Sequence, residues 1–323
     1  MGLAAAKEGE ELLQISALVE SKSTSMTKQG KPFLRLSLKD ENAALKCVFW
    51  EYDPEKSIKI EEGAVYDFDL RVESYNGSLQ GTVKSYFPST RDPKSFAKKT
   101  SFDRAAMWQN LEETVAEFTE PLTKFVAQEF LFSHKKVTEA FKEAPAARGV
   151  HNAWYGGLLE HVWSLCKVAE PVIEHYQKNY FKSLSRDKVL FGLIMHDAGK
   201  IAEYDFSTPA FKSTPSGILV NHIVMGPAWV YEIANKWPKK DEDPATFRME
   251  RAHLMHILAA HHGRLEWGSP VKPATIEAIL VHHLDNLDSK VLHAHDFVTG
   301  KEGSVAGFSE KSFIEQTSFM LHK

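Results

Sequence analysis

Cysteine is almost absent: Cys47 and Cys166 are the only two in 323 residues, and they lie far apart. That excludes a disulfide framework or a cysteine-rich zinc site and suits a reducing compartment. No apolar run approaches the roughly 20 residues needed to span a bilayer. The opening MGLAAAKEGEELLQ lacks the basic stretch and apolar core of a secretory signal. Met1-Gly2 begins like a myristoylation signal, but Ala6 stands where Ser or Thr is required. A cytoplasmic protein with no membrane partner is therefore expected. Charge of one sign is not in excess either: with a net charge of −4, any contact with nucleic acid must come from local patches. A Walker-type phosphate loop is missing, because Gly199-Lys200 has no Gly five residues before it and no Ser or Thr after it. Histidine is nearly missing from the first half: of 15, only His134 precedes residue 151. That asymmetry points to two segments with different tasks, and the length accommodates one large domain or two ordinary ones. At 43% hydrophobic and 25% charged residues, both segments can build real cores.

Residues 12 to 90 alternate with period 2 between turn signals. In KPFLRLSLK, Leu34, Leu36 and Leu38 face one way, and Phe33, Arg35, Ser37 and Lys39 the other. In YDFDLRVE, Tyr66, Phe68, Leu70 and Val72 form the apolar face. Asn76-Gly77 between two such runs is a two-residue hairpin turn, since both central positions need positive φ. Strands near 12–22, 32–39, 43–50, 65–74 and 78–86 suit a five-stranded OB-type β-barrel over residues 1–90. Between Ser21 and Lys39 stand five basic residues (Lys22, Lys28, Lys31, Arg35, Lys39) and no acidic one. With Phe33 beside Arg35, and Trp50 and Tyr75 near strand ends, this strip offers phosphate attraction plus base stacking, as single-stranded RNA or DNA requires. A solvated strand face with a barrel-capping aromatic fits the same letters. Lys31, Phe33 and Arg35 are the candidate nucleic-acid contacts. Residues 91–104 are basic, contain Pro and lack periodicity, which reads as a linker.

From residue 105 to 323 the apolar spacing becomes helical and predicts an all-α bundle. Gly199 and Gly263 fall just past helix ends, as C′ residues do. His161 shares a helix face with Leu158 and Leu165, and His222 shares a stripe with Met225 and Trp229; a single inward histidine is usually a satisfied core residue. Asp197 and Asp285 sit in the apolar stretches FGLIMHD and AILVHHLDNL, where an unpaired carboxylate costs several kcal/mol. Two such carboxylates with several inward histidines are most readily satisfied by a divalent cation. Chance supplies slightly less than one His-Asp dipeptide in this composition, and two are present. The second, His295-Asp296, has no apolar helix around it and serves as a decoy for His196-Asp197. His253, His256, His282 and His283 read as supporting donors or plain helix residues, and His134, His175, His293, His295 and His322 as non-metallic.

His161, His196-Asp197 and Asp285 together resemble the HD-domain metal-dependent phosphohydrolases, and the intervening His222 and His261-His262 are similar to the two-metal branch of that superfamily. The blocks GGLLEHV, MHDAGKIAEY, NHIVMG, HHGRLEWGSPVKP and DNLDSK, behind an OB-type barrel, resemble the YhaM-type 3′-5′ exoribonucleases across nearly the whole chain. The resemblance implies one cation on His161, His196, Asp197 and Asp285, and a second on Asp197, His222 and His261, with His262 the rival for that last place. Mixed imidazole and carboxylate ligands favour Mn, Fe, Co, Ni or Zn over Mg, and manganese is the family's usual activator. Such a pair lowers the pKa of a water and clamps the phosphodiester, releasing 5′-mononucleotides from a 3′ end. Asp197 is then the catalytic bridge. Lys200 is a candidate to hold a non-bridging phosphate oxygen, Arg264 a weaker one, and Trp267 in RLEWGSP could stack a terminal base. Two other classes remain: an HD phosphohydrolase of a small nucleotide with a regulatory barrel, and a non-catalytic nucleic-acid binder with a structural metal. A structural site, however, normally closes its shell with Cys and His. The sequence leaves a homo-oligomer open.

Overall fold

The computed structural model describes residues 2–40, 42–53, 59–97, 99–147, 153–299, 307–312 and 315–321; His322 lies outside them. Two compact units divide the chain, Met1–Lys99 with Asp205–Lys212, and Thr100–Tyr204 with Ser213–Lys323.

The first unit is built on β1 (Glu11–Met26), β2 (Pro32–Lys39), β3 (Ala44–Phe49), β4 (Val65–Tyr75) and β5 (Ser78–Pro88). They close into a barrel in the order β1-β2-β3-β5-β4. The long β1 serves both sides, pairing antiparallel with β4 through its first half and with β2 through its second. It bends at bulges between Leu12 and Ile15 and between Val19 and Ser21, as a strand turning a barrel corner must. β3 and β5 close the cylinder in parallel. The period-2 pattern sets the inside: Leu34, Leu36, Leu38, Phe68, Leu70 and Val72 all lie in the barrel core. Asn76 (φ 50°) and Gly77 (φ 77°) make the predicted tight turn between β4 and β5.

The second unit contains α1 (Arg104–Ala116), α2 (Pro121–Phe132), α3 (Lys135–Glu143), α4 (Gly157–Asn179), α5 (Arg186–Met195), α6 (Lys200–Glu203), α7 (Pro215–Leu219), α8 (Asn221–Ala234), α9 (Pro244–Ala259) and α10 (Ile276–Val298). A short C-terminal hairpin, Phe308–Lys311 with Ser318–Met320, adds strand to an otherwise helical unit. α5 is the axle. Every residue from Asp187 to Met195 is buried, and from Val189 to Met195 the helix is apolar all round rather than amphipathic. It packs against α2, α4, α9 and α10. At Gly192 an added Cβ would lie 2.5 Å from Ile257 of α9 and 2.7 Å from Val281 of α10, so the absence of a side chain lets three helices approach. Two polar ties fix the start of α5: Ser185 caps Lys188 N–H, and the Ser185 N–H donates to Glu277 of α10 at 3.0 Å.

Candidate metal centre

α5 runs out at Met195, and its last turn hands His196 and Asp197 into the interior, 1% and 3% exposed. α4 brings His161 from its second turn, α8 brings His222 as its second residue, His261 follows the end of α9, and Asp285 comes from the middle of α10. The sequence candidates for the metal thus converge. His161 Nε2 lies 3.2 Å from Asp285 Oδ1 and 3.4 Å from His196 Nε2. The Asp197 carboxylate is shared between two groups. Its Oδ2 faces His196 Nε2 at 3.4 Å and His161 Nε2 at 4.0 Å, while its Oδ1 faces His222 Nε2 at 3.4 Å and His261 Nε2 at 3.9 Å. His262 stands with His222 and His261, their ligand atoms all within 4.8 Å of one another.

Each histidine is oriented by its other nitrogen. His161 Nδ1 pairs with Asp288 at 2.9 Å and His222 Nδ1 with Glu203 at 2.5 Å. His196 Nδ1 meets the Leu193 carbonyl at 2.9 Å, His261 Nδ1 the Leu258 carbonyl at 2.6 Å, and His262 Nδ1 the Trp267 carbonyl at 2.7 Å. Such partners fix the tautomer and turn Nε2 toward the common centre, the outer-shell pattern of metal-ligating histidine. The inner atoms are under-satisfied: His222 Nε2 and His261 Nε2 are buried without a hydrogen-bond partner. Buried polar atoms are rarely left so unless something binds them. The donor set therefore fits a divalent cation.

The charges agree. Burial opposes ionisation of Asp197, yet Lys200 and His196 hold its carboxyl well below the usual range. Asp285 is likewise held far down, against burial, by His196 and His161. Burial opposes charge on His196 too, but Asp197 and Asp285 lift it to about 10. Burial, with His196 and His262 nearby, pushes His261 well below its ordinary value and keeps it neutral. Lys200 Nζ is 2.6 Å from Asp197 Oδ2.

Local backbone serves this geometry. Asn221 has φ 55° and accepts the Ile223 N–H on its side chain, turning the chain immediately before His222. Gly199 departs from the expected C′ role: its backbone is right-handed helical (φ −61°, ψ −18°). It is glycine for space, since a Cβ there would lie 2.6 Å from His222 Cα. Gly263 does have positive φ, at 76°. His295 and Asp296 lie in the last turn of α10, with 71% and 44% of their side chains exposed. A helix holds them, but no apolar surroundings enclose them. Sequence reasoning missed Asp288 and Glu203. His282, read only as a supporting residue, meets the His261 carbonyl through Nδ1 at 2.9 Å.

The barrel carries a separate groove of about 600 Å³ across β2, β3 and the β4–β5 hairpin, lined among others by Arg35, Lys46, Trp50, Tyr75 and Gln80. Phe33 shares the outer face with Arg35, 5.6 Å from its guanidinium, but is itself only 5% exposed because Trp50 packs on it at 4.5 Å. The accessible rings are Trp50 (50%) and Tyr75 (62%). Lys31 is exposed and outside the groove lining. Lys22 and Lys39 are engaged with the Ile60 carbonyl and Glu20. Lys46, on β3, was not foreseen.

A closed five-stranded barrel and a helical unit that gathers His161, His196-Asp197 and Asp285 around one centre define an OB-barrel protein with an HD domain. The HD domain family profile matches residues 158–290, and that domain implies dependence on divalent metal. Over 287 residues the chain is 30% identical to the 3′-5′ exoribonuclease YhaM of Geobacillus sp. (strain WCH70), covering 87% of this chain and 83% of the relative. The chain belongs to the YhaM 3′-5′ exoribonuclease family. Among solved structures it is similar to the second OB-fold domain of replication protein A from Methanococcus maripaludis, at 16% identity over 28% of this chain and 98% of that one, with TM-score 0.23. An OB domain from Thermoplasma acidophilum matches at 13% identity over 28% and 88%, also with TM-score 0.23. Among the described residues no helix is long and apolar enough to cross a membrane.

Proposed function

We propose that this chain is a two-metal 3′-5′ exonuclease that shortens single-stranded RNA, and single-stranded DNA by the same chemistry, releasing 5′-mononucleotides. The observation that carries the reading is the divided Asp197 carboxylate, one oxygen toward His161 and His196 and the other toward His222 and His261. His161, His196, Asp197 and Asp285 would hold one cation, and Asp197, His222 and His261 the other, with His262 beside them. Bound there, divalent cations supply Lewis acidity that activates water near neutral pH and stabilises charge on phosphate oxygens; manganese suits the mixed ligand set.

The rest falls to the chain's own groups. Asp288 and Glu203 keep the His161 and His222 rings turned inward. Lys200, beside Asp197, donates to a non-bridging phosphate oxygen as negative charge develops there. On the barrel, Trp50 and Tyr75 stack bases while Arg35 and Lys46 meet phosphates; Phe33 backs the Trp50 ring, and Lys31 adds charge at the start of β2.

The test uses the full chain, Mn2+ and a 5′-labelled single-stranded RNA. A descending ladder is expected. Asp197→Ala should abolish shortening while retaining binding of the oligomer. No shortening by the wild type, with hydrolysis of a free nucleotide instead, would replace this reading by that of a small-nucleotide phosphohydrolase.

A further inference from the structure

The loop between α9 and α10 contains a feature that the metal chemistry does not use. Arg264 lays its guanidinium over the Trp267 indole, 4.7 Å from the ring centroid. Among the described residues no carboxylate forms an ion pair with Arg264, so its charge is not consumed within the fold. The indole itself remains 43% exposed.

The same loop is fixed to the metal centre. The Trp267 carbonyl takes the His262 Nδ1 contact at 2.7 Å, and the Trp267 ring lies 6.2 Å from His282, which meets the His261 carbonyl at 2.9 Å. Internal bonds make the loop compact: Trp267 N–H and Ser269 N–H both donate to the Arg264 carbonyl, at 3.1 and 3.3 Å, and Gly268 N–H donates to Leu265. Gly268 closes the turn at φ 95°, and Ser269 behind it is 2% exposed. The flat cation–indole layer is thus held at a set position beside the imidazoles rather than on a loose tip.

We infer that the Arg264–Trp267 layer is the docking surface for the base of the 3′-terminal nucleotide, placing the last phosphodiester at the metal centre. Unstacked bases bind to aromatic rings and to arginine planes, and a ring that is sequence-tolerant suits an enzyme that removes residues one after another. The cation on the indole adds attraction for the neighbouring phosphate. This inference rests on the exonuclease reading and names the part of the substrate that the loop recognises.

The test pairs a protein change with a substrate change. The full chain with Mn2+ is given two single-stranded RNA oligomers, one ending in an ordinary nucleotide and one in an abasic nucleotide at the 3′ end. Removal of the terminal residue is followed as kcat/KM. For the wild type the ratio should favour the base-bearing end by on the order of ten-fold, the size of one stacked base. In Trp267→Ala that ratio should fall toward one, chiefly through KM, and Trp267→Phe should restore most of it. Mn2+ affinity, read by isothermal titration, should be the same in both variants as in the wild type, because neither substitution removes a side chain that faces the centre. Because Trp267 contacts His262 through its backbone carbonyl, the metal-side hydrogen bond survives either substitution. A ratio in Trp267→Ala equal to that of the wild type and still far from one overturns the inference, as does a wild-type ratio of one. Failure of the wild type to shorten either oligomer defeats the exonuclease reading itself.

Discussion

At the scale of single residues, two carboxylates touch the outer nitrogens of the inward histidines. Asp288 and Glu203 each hold the Nδ1 of an inward histidine, and loss of such a partner typically lowers metal affinity or activity 10–100-fold. Glu203→Gln should therefore weaken binding of the second cation by about that range while Asp288→Asn weakens the first. Isothermal titration with Mn2+ separates the two, and unchanged affinity in both would remove the orienting role. The candidate ligands were legible in the sequence because Asp197 and Asp285 interrupt apolar stretches where a lone carboxylate is untenable. Their partners were not. Glu203 and Asp288 stand among polar neighbours, AEY and NLDSK, where an acidic residue reads as a solvated helix face. The choice between His261 and His262 was also beyond the letters: the first is fully buried and faces Asp197, while the second joins the same cluster from its edge.

At the scale of elements, α5 carries the His-Asp pair and its neighbours determine where that pair ends up. Gly192→Ala would drive a methyl group into Ile257 and Val281. Overpacking of this kind costs about 1–3 kcal/mol, so a lower Tm and weaker metal binding are expected together; a wild-type Tm would show that α9 and α10 yield without strain. The start of the same helix carries a pH dependence. Burial opposes charge on Glu277, but the His253 ring and the Ser185 N–H hold its pKa at about 2, below an ordinary carboxylate near 4.5. A depressed folded-state value contributes stability that is complete above about pH 4.5 and is lost as pH falls toward about 2. Glu277→Gln should thus lower Tm at neutral pH and flatten the acid side of the Tm profile; an acid limb as steep as the wild type's would assign the loss to other groups. Strand and helix types were readable from periods of 2 and 3.6, as in KPFLRLSLK and FGLIMHD. Gly199 was not, because a glycine after an apolar helix ordinarily signals a cap, and its real constraint is the His222 backbone packed against it from a distant helix.

At the scale of the molecule, the proposed function assigns recognition to one compact unit and chemistry to the other. Trp50→Ala with Arg35→Glu removes an accessible ring and reverses a charge in the barrel groove. Single-strand affinity should fall at least about ten-fold, while hydrolysis of bis(p-nitrophenyl) phosphate stays as it was; equal affinity would move the strand off that face. The barrel and the helical unit were both visible in the change of apolar period and in the crowding of histidine after residue 151. The groove was visible only in part, since Lys46 and Gln80 reach it through strand pairings distant in sequence. The central claim, that Asp197 bridges two cations, is tested most directly by anomalous scattering from crystals of the full chain grown with Mn2+. Two peaks should flank the Asp197 carboxylate, one among His161, His196 and Asp285 and the other against His222 and His261. A single peak, or none within bonding distance of Asp197, would contradict it.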